Sequence, residues 1–90
     1  MITVKYRLKK DLLGRTANQF NWKLQDCPFQ IHLIMGKDGR VINGKSLIGI
    51  LSGRFKAGAE IEVATRTLES QEYVENVIKE LELAEKLYSK

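Results

Sequence analysis

Histidine, proline, cysteine and tryptophan each occur once in this 90-residue chain. No apolar stretch is long enough to span a bilayer. Each scarcity excludes something. With Cys27 alone no internal disulfide can form, and Cys27 reads as a small, half-buried apolar side chain with nothing nearby to make it a nucleophile or ligand. One proline and seven glycines leave no linker or low-complexity segment. Met1–Arg7 alternates apolar and polar residues, so it is read as neither a secretory signal nor a membrane span. Without that signal and without cysteine pairs, a cytoplasmic protein is expected, with no membrane partner. No residue set points to a metal or a cofactor.

What is present is ordinary for a folded domain: 43% hydrophobic and 29% charged residues. A chain this short supports one core, so residues 1–90 are read as a single domain. Charge is uneven. Residues 1–56 carry eleven Lys/Arg against three Asp/Glu, and residues 57–90 carry four against eight. A basic front and an acidic end suit a solvated surface, or else an acidic partner, nucleic acid or a phosphorylated group.

Period-two alternation over residues 2–8, with Ile2, Val4, Tyr6 and Leu8 on one side, predicts a half-buried strand. Arg15 to Gln25 follow at helical spacing with Ala17, Phe20 and Leu24, Thr16 serving as N-cap or first-turn residue, and Cys27-Pro28 stopping the helix. Phe29 to Met35 read as a strand, Gly36 to Gly39 as a turn, and Arg40 to Asn43 as the return of a hairpin. Ser46 is placed to cap a two-turn helix from Leu47, which Gly53 would end in a left-handed conformation. Ala59 to Thr65 alternate again. Ser70 is read as opening a last helix with the stripe Tyr73, Val74, Val77, Ile78, Leu81 and Ala84. The order β-α-β-β-α-β-α, with one-faced strands and amphipathic helices, calls for an α+β two-layer sandwich.

Ile42-Asn43-Gly44-Lys45-Ser46-Leu47-Ile48-Gly49-Ile50-Leu51-Ser52, continued by Phe55-Lys56-Ala57-Gly58, resembles the regulatory-serine segment of HPr, the histidine-containing phosphocarrier of the bacterial sugar phosphotransferase system. The resemblance spans nearly the whole chain. It implies an open-faced sandwich whose four-stranded antiparallel sheet is covered on one face by three helices. The family's other signature, Gly-Leu-His-Ala-Arg-Pro-Ala, meets Asp11-Leu12-Leu13-Gly14-Arg15-Thr16-Ala17 here. Leu12, Arg15 and Ala17 match, but Leu13 stands at the histidine position and Thr16 at the proline position.

Phosphate relay needs a side-chain nitrogen that attacks a phosphoryl donor and later leaves, as neutral imidazole does near pH 7. Leucine has no lone pair. His32 falls mid-strand and reads as an exposed or partly packed strand residue. The resemblance therefore implies no catalysis and a binding role, as in the histidine-less catabolite-repression HPr-like relative, although Leu13 is not that relative's usual residue. In Gram-positive members the serine matching Ser46 is phosphorylated by an ATP-dependent kinase, and the product binds a transcriptional regulator. Leu12, Leu13, Arg15, Lys45, Leu47, Ile48 and Leu51 are the expected partner-binding residues. A serine kinase, a transcriptional regulator or another phosphotransferase-system component is the expected protein partner. Three alternatives stay open: a phosphocarrier with a non-standard acceptor, a self-associating module or homodimer, and a nucleic-acid binder. The Gly36-Lys37-Asp38-Gly39 loop has the Gly-x-x-Gly form of KH domains but joins two strands where KH loops join helices, so nucleic acid is not expected.

Overall fold

Ile2–Leu8 forms strand β1, and its alternation becomes two faces: Tyr6 and Leu8 are buried while Thr3, Lys5 and Arg7 are exposed. The computed structural model describes residues 1–35 and 39–87. After β1 come helix α1 (Gly14–Gln25), strands β2 (His32–Met35) and β3 (Arg40–Asn43), helix α2 (Leu47–Ser52), strand β4 (Glu60–Thr65), helix α3 (Leu68–Glu80) and strand β5 (Ala84–Lys86). Gly36, Lys37 and Asp38, which carry most of the expected hairpin turn and of the Gly-x-x-Gly loop, lie outside the described residues.

All pairings are antiparallel, in the order β3-β2-β4-β1-β5. Among the described residues the sheet thus has five strands, not four. The register puts Tyr6 opposite Ile61 and Leu33 opposite both Val63 and Ile42. These side chains form the core face together with Ala17, Phe20 and Leu24 of α1, Ile50 of α2 and Val74, Val77 and Ile78 of α3. The other face carries paired charges: Lys5 lies 3.7 Å from Glu62, and Arg7 lies 3.7 Å from Glu60 and 3.6 Å from Glu85. These pairs are solvent-exposed and each stabilises by about 1 kcal/mol at most. A one-residue slip would bury the charges, so the ladder specifies register more than it adds stability.

One polar chain crosses the core. Thr65 Oγ1 donates to Gln71 Oε1 at 3.0 Å, and Gln71 Nε2 donates to the Tyr6 hydroxyl at 3.4 Å, linking β4, α3 and β1. Burial first, and then the charge of Glu75, pushes the Tyr6 phenol up to about 12.

The chain end departs most from expectation. Helix α3 starts two residues before Ser70: Thr67 is its N-cap, accepting from the Ser70 N–H at 3.1 Å, while Ser70 Oγ accepts from the Thr67 N–H at 3.2 Å. Ser70 is thus half of a capping box and not the cap. The helix stops at Glu80 because Glu82 takes a left-handed φ of 50°. Glu82 N–H then bonds the Lys79 carbonyl and Leu83 N–H the Ile78 carbonyl, a Schellman closure. Leu83 is thereby driven wholly into the core, and Ala84 begins β5 against Leu8 instead of extending the helical stripe.

Three smaller corrections follow from packing. Strand β2 begins at His32, not Phe29, because ladder pairing starts with Asn43 and Ala64. Helix α1 begins at Gly14, not Arg15, with Leu13 as its N-cap and no side-chain cap bond, so Thr16 is a first-turn residue, one of its two expected places, and not the cap. Gly53 is not left-handed: its φ is −70°, and Arg54, at 48°, makes the turn. Glycine is needed at 53 for space, since a Cβ there would stand 2.5 Å from the Phe55 ring.

Glu82→Gly relieves the left-handed strain at the end of α3 and should raise stability by about 0.5–1 kcal/mol. A higher urea midpoint at unchanged slope is expected; a lower midpoint would contradict the closure described.

Candidate functional site

The loop between β1 and α1 is sutured to the loop between α2 and β4. Leu12 N–H donates to the Phe55 carbonyl at 2.8 Å, and Asp11 Oδ1 accepts from the Ala57 N–H at 2.8 Å. At the other end Gln25 Nε2 donates to the Lys45 carbonyl at 2.8 Å. The start of α1 therefore meets the end of α2, and the end of α1 meets the start of α2. The two helices run antiparallel side by side. With six residues in α2, its ends lie roughly 9 Å apart.

This arrangement sorts the expected partner-binding residues. Leu12 is 0% exposed and belongs to the core, so its place on a docking surface is withdrawn. The cause is its position, since the suture to Phe55 points its side chain inward. Leu13, next along, is half-buried and extended, with φ −136° and ψ 163°. Arg15 is exposed and forms no ion pair among the described residues. The first turn of α1 holds no acidic residue and no side-chain cap, so its free N–H groups and positive helix end stand uncompensated beside Leu13.

Gly14 opens the helix with φ +52°, and a Cβ there would meet nothing within 4 Å. The position is demanding in backbone conformation alone. It follows Leu13 directly, where glycine accepts a turn that other residues resist.

At the start of α2, Ser46 is extended, with φ −99° and ψ 111°, and its Oγ accepts from the Gly49 N–H at 3.1 Å. Gly49 is tightly enclosed, because a Cβ would sit 3.2 Å from that Oγ and 3.0 Å from Ile42. Lys45 is not a free docking cation: its ammonium donates to the Cys27 carbonyl, and its N–H donates to Asn43 Oδ1 at 2.9 Å. Leu47 is half-buried against the core, whereas Ile48 is 82% exposed and Leu51 stands at 36%. Ile48 and Leu51 are thus the apolar groups that α2 offers to solvent.

His32 lies on the opposite side of the sheet. Its neighbours Ile31 and Leu33 are fully buried on the helix side, so the pleat turns His32 toward the open face, opposite Asn43 and Ala64. The sheet stands between this imidazole and the start of α1. Among the described residues, no group of three or more His, Cys, Asp or Glu side chains could hold a metal ion, and no helix is long and apolar enough to cross a membrane.

A one-sided α+β sandwich with its first two helices locked antiparallel in this way has the architecture of a phosphocarrier domain. Residues 2–82 match the family described as the PTS HPr component phosphorylation site, and the chain belongs to that family. Comparison with curated protein sequences gives no match. Among solved structures it is similar to the phosphocarrier protein HPr of Bacillus anthracis str. Ames, at 24% identity and TM-score 0.75, covering 84% of this chain and 90% of that one. HPr-C-His of Thermoanaerobacter tengcongensis shares 23% identity at TM-score 0.70, over 90% and 89% of the two chains. The histidine-containing phosphocarrier protein of Mycoplasma shares 19% at TM-score 0.68, over 89% and 88%. At these identities the likeness speaks for the fold.

Gly14→Ala adds a Cβ that clashes with nothing yet must adopt a left-handed backbone, and should cost about 1 kcal/mol. Chemical denaturation tests this; unchanged stability would mean that α1 begins with a different backbone path.

Proposed function

We propose that this chain is an HPr-family binding protein controlled by phosphorylation of Ser46, and not a relay of phosphoryl groups. The observation that carries the reading is Leu13 at the opening of α1, where the family resemblance calls for the acceptor imidazole. The free N–H groups of the first turn and Arg15 suit a phosphoryl group there, since charge-assisted hydrogen bonds favour phosphate oxygens. No side-chain nucleophile occupies position 13 to receive one.

Ser46 carries the regulation in this reading. It is half-exposed, and its hydroxyl caps α2. Phosphorylation would add roughly −1.5 to −2 charges and three acceptor oxygens beside backbone N–H groups that already seek an acceptor. Because a phosphate oxygen can inherit the bond from Gly49, the domain need not refold. The change is then one of surface charge next to Ile48 and Leu51, the apolar groups a protein partner would cover. A serine kinase writes the mark, and a transcriptional regulator or another phosphotransferase-system component reads it.

The family's serine kinase with ATP should place one phosphate on the protein, and both Ser46→Ala and Ser46→Asn should abolish it. Ser46→Ala also removes the cap, at a cost of about 1 kcal/mol, whereas asparagine supplies a capping oxygen and keeps most of that stability. Mass spectrometry and thermal melting separate the two effects. No incorporation under conditions that modify a genuine HPr, or a site elsewhere, sinks the assignment.

A further inference from the structure

Helices α1 and α3 leave a cleft of about 310 Å³ between them, lined by Trp22, Lys23 and Asp26 on one side and Tyr73, Val77 and Glu80 on the other. It lies on the α3 side of α1, away from the contact with α2, and owes nothing to the Ser46 reading. Its volume is at the small end of ligand sites, which run from about 300 to 1,000 Å³. That suits one side chain and not a nucleotide.

Charges in the cleft are only partly satisfied. The Lys23 ammonium sits 2.9 Å from Glu80 Oε1, so these two groups offset one another. Asp26 forms no ion pair among the described residues. It follows Trp22 by four positions, which sets carboxylate and indole on one face of the helix end. Trp22 is 75% exposed, an apolar plane held out to water. The opposite wall is fixed, because the Tyr73 hydroxyl donates to the Lys23 carbonyl at 3.0 Å. The Tyr73 phenol is held above its ordinary value by burial first and by the Asp26 charge next.

We infer that this cleft binds an arginine side chain of a partner protein. A guanidinium is a flat cation that stacks on the indole of Trp22 while its N–H edge meets the Asp26 carboxylate in a two-point contact. A lysine ammonium supplies the charge without the plane, and a neutral urea-type side chain supplies the plane without the charge. Along α3, Glu75 is offset by Lys79 and Lys86, whereas Glu69 and Glu72 are exposed and form no ion pair among the described residues, which adds attraction for a basic segment.

Trp22 is the only tryptophan, so its indole N–H gives one unambiguous resonance. The full chain is titrated with acetyl-Gly-Arg-Gly-amide and with its lysine and citrulline counterparts, followed by amide and indole NMR shifts. The arginine peptide should shift the indole signal saturably, together with the amides of Asp26, Tyr73 and Val77. The lysine peptide should bind at least threefold more weakly and the citrulline peptide at least tenfold. Asp26→Asn, a change at an exposed position, should weaken the arginine peptide at least fivefold while leaving the remaining spectrum in place. Equal binding of the three peptides, undiminished binding to Asp26→Asn, shifts centred on Glu60 and Glu62, or no saturable shift at all would each overturn the assignment.

Discussion

The burial of Leu12, with its N–H held by the Phe55 carbonyl, fixes the working end of the molecule. That contact decides where β1 stops and where α1 starts. It also brings the exit of α2 alongside. A fully buried leucine is worth about 1.5–3 kcal/mol, and the attached backbone bond adds direction to it. From this anchor Leu13 must stand at the helix opening, Gly14 must take its left-handed turn, and Arg15 must reach solvent. The phosphocarrier geometry is therefore kept by apolar packing and by the bonds that join the two loops, none of which involves an imidazole.

The sheet divides the remaining chemistry. Among the described residues its helix side is apolar apart from the Thr65–Gln71–Tyr6 chain and the buried Ser70, and its outer side carries a ladder of charge pairs with His32 on the same face. Since a strand cannot send consecutive side chains to one face, burial of Ile31 and Leu33 commits His32 to the outer face. The same alternation that builds the core thus removes the only imidazole from the helix opening. Around α1 two further surfaces separate: the α2 side, with Ser46, Ile48 and Leu51, and the α3 side, with Trp22 and Asp26.

Much of the fold was legible in the sequence. Alternation in Ile2–Leu8 and Glu60–Thr65, the helical spacing of Ala17, Phe20 and Leu24, and the cap at Ser46 each reflect one local periodicity or one local bond. Failures came where tertiary structure overrode such signals. Leu81 and Ala84 continue the helical spacing of α3, yet Glu82 turns left-handed, a role in which glycine would have been read and glutamate was not. The fifth strand exists because that turn aims Leu83 into the core and lays Ala84 beside Leu8. The site was legible in its residue types but not in its exposure. Leu12 and Leu13 are adjacent and alike, and only the bond to Phe55 tells which of them is inside. Lys45 likewise read as a partner-binding residue, whereas its ammonium is engaged by the Cys27 carbonyl. The cleft holding Trp22 joins residues about fifty positions apart along α1 and α3, and no local pattern announces it.

The account rests on position 13 being chemically silent. Radiolabelled phosphate passed from phosphoenolpyruvate through the upstream phosphotransferase enzyme tests this most directly, comparing the natural chain with Leu13→His. The natural chain should acquire no acid-labile label, and the histidine variant, with Arg15 and the free N–H groups of α1 already in place, should acquire it. Acid-labile label on the natural chain would contradict the account.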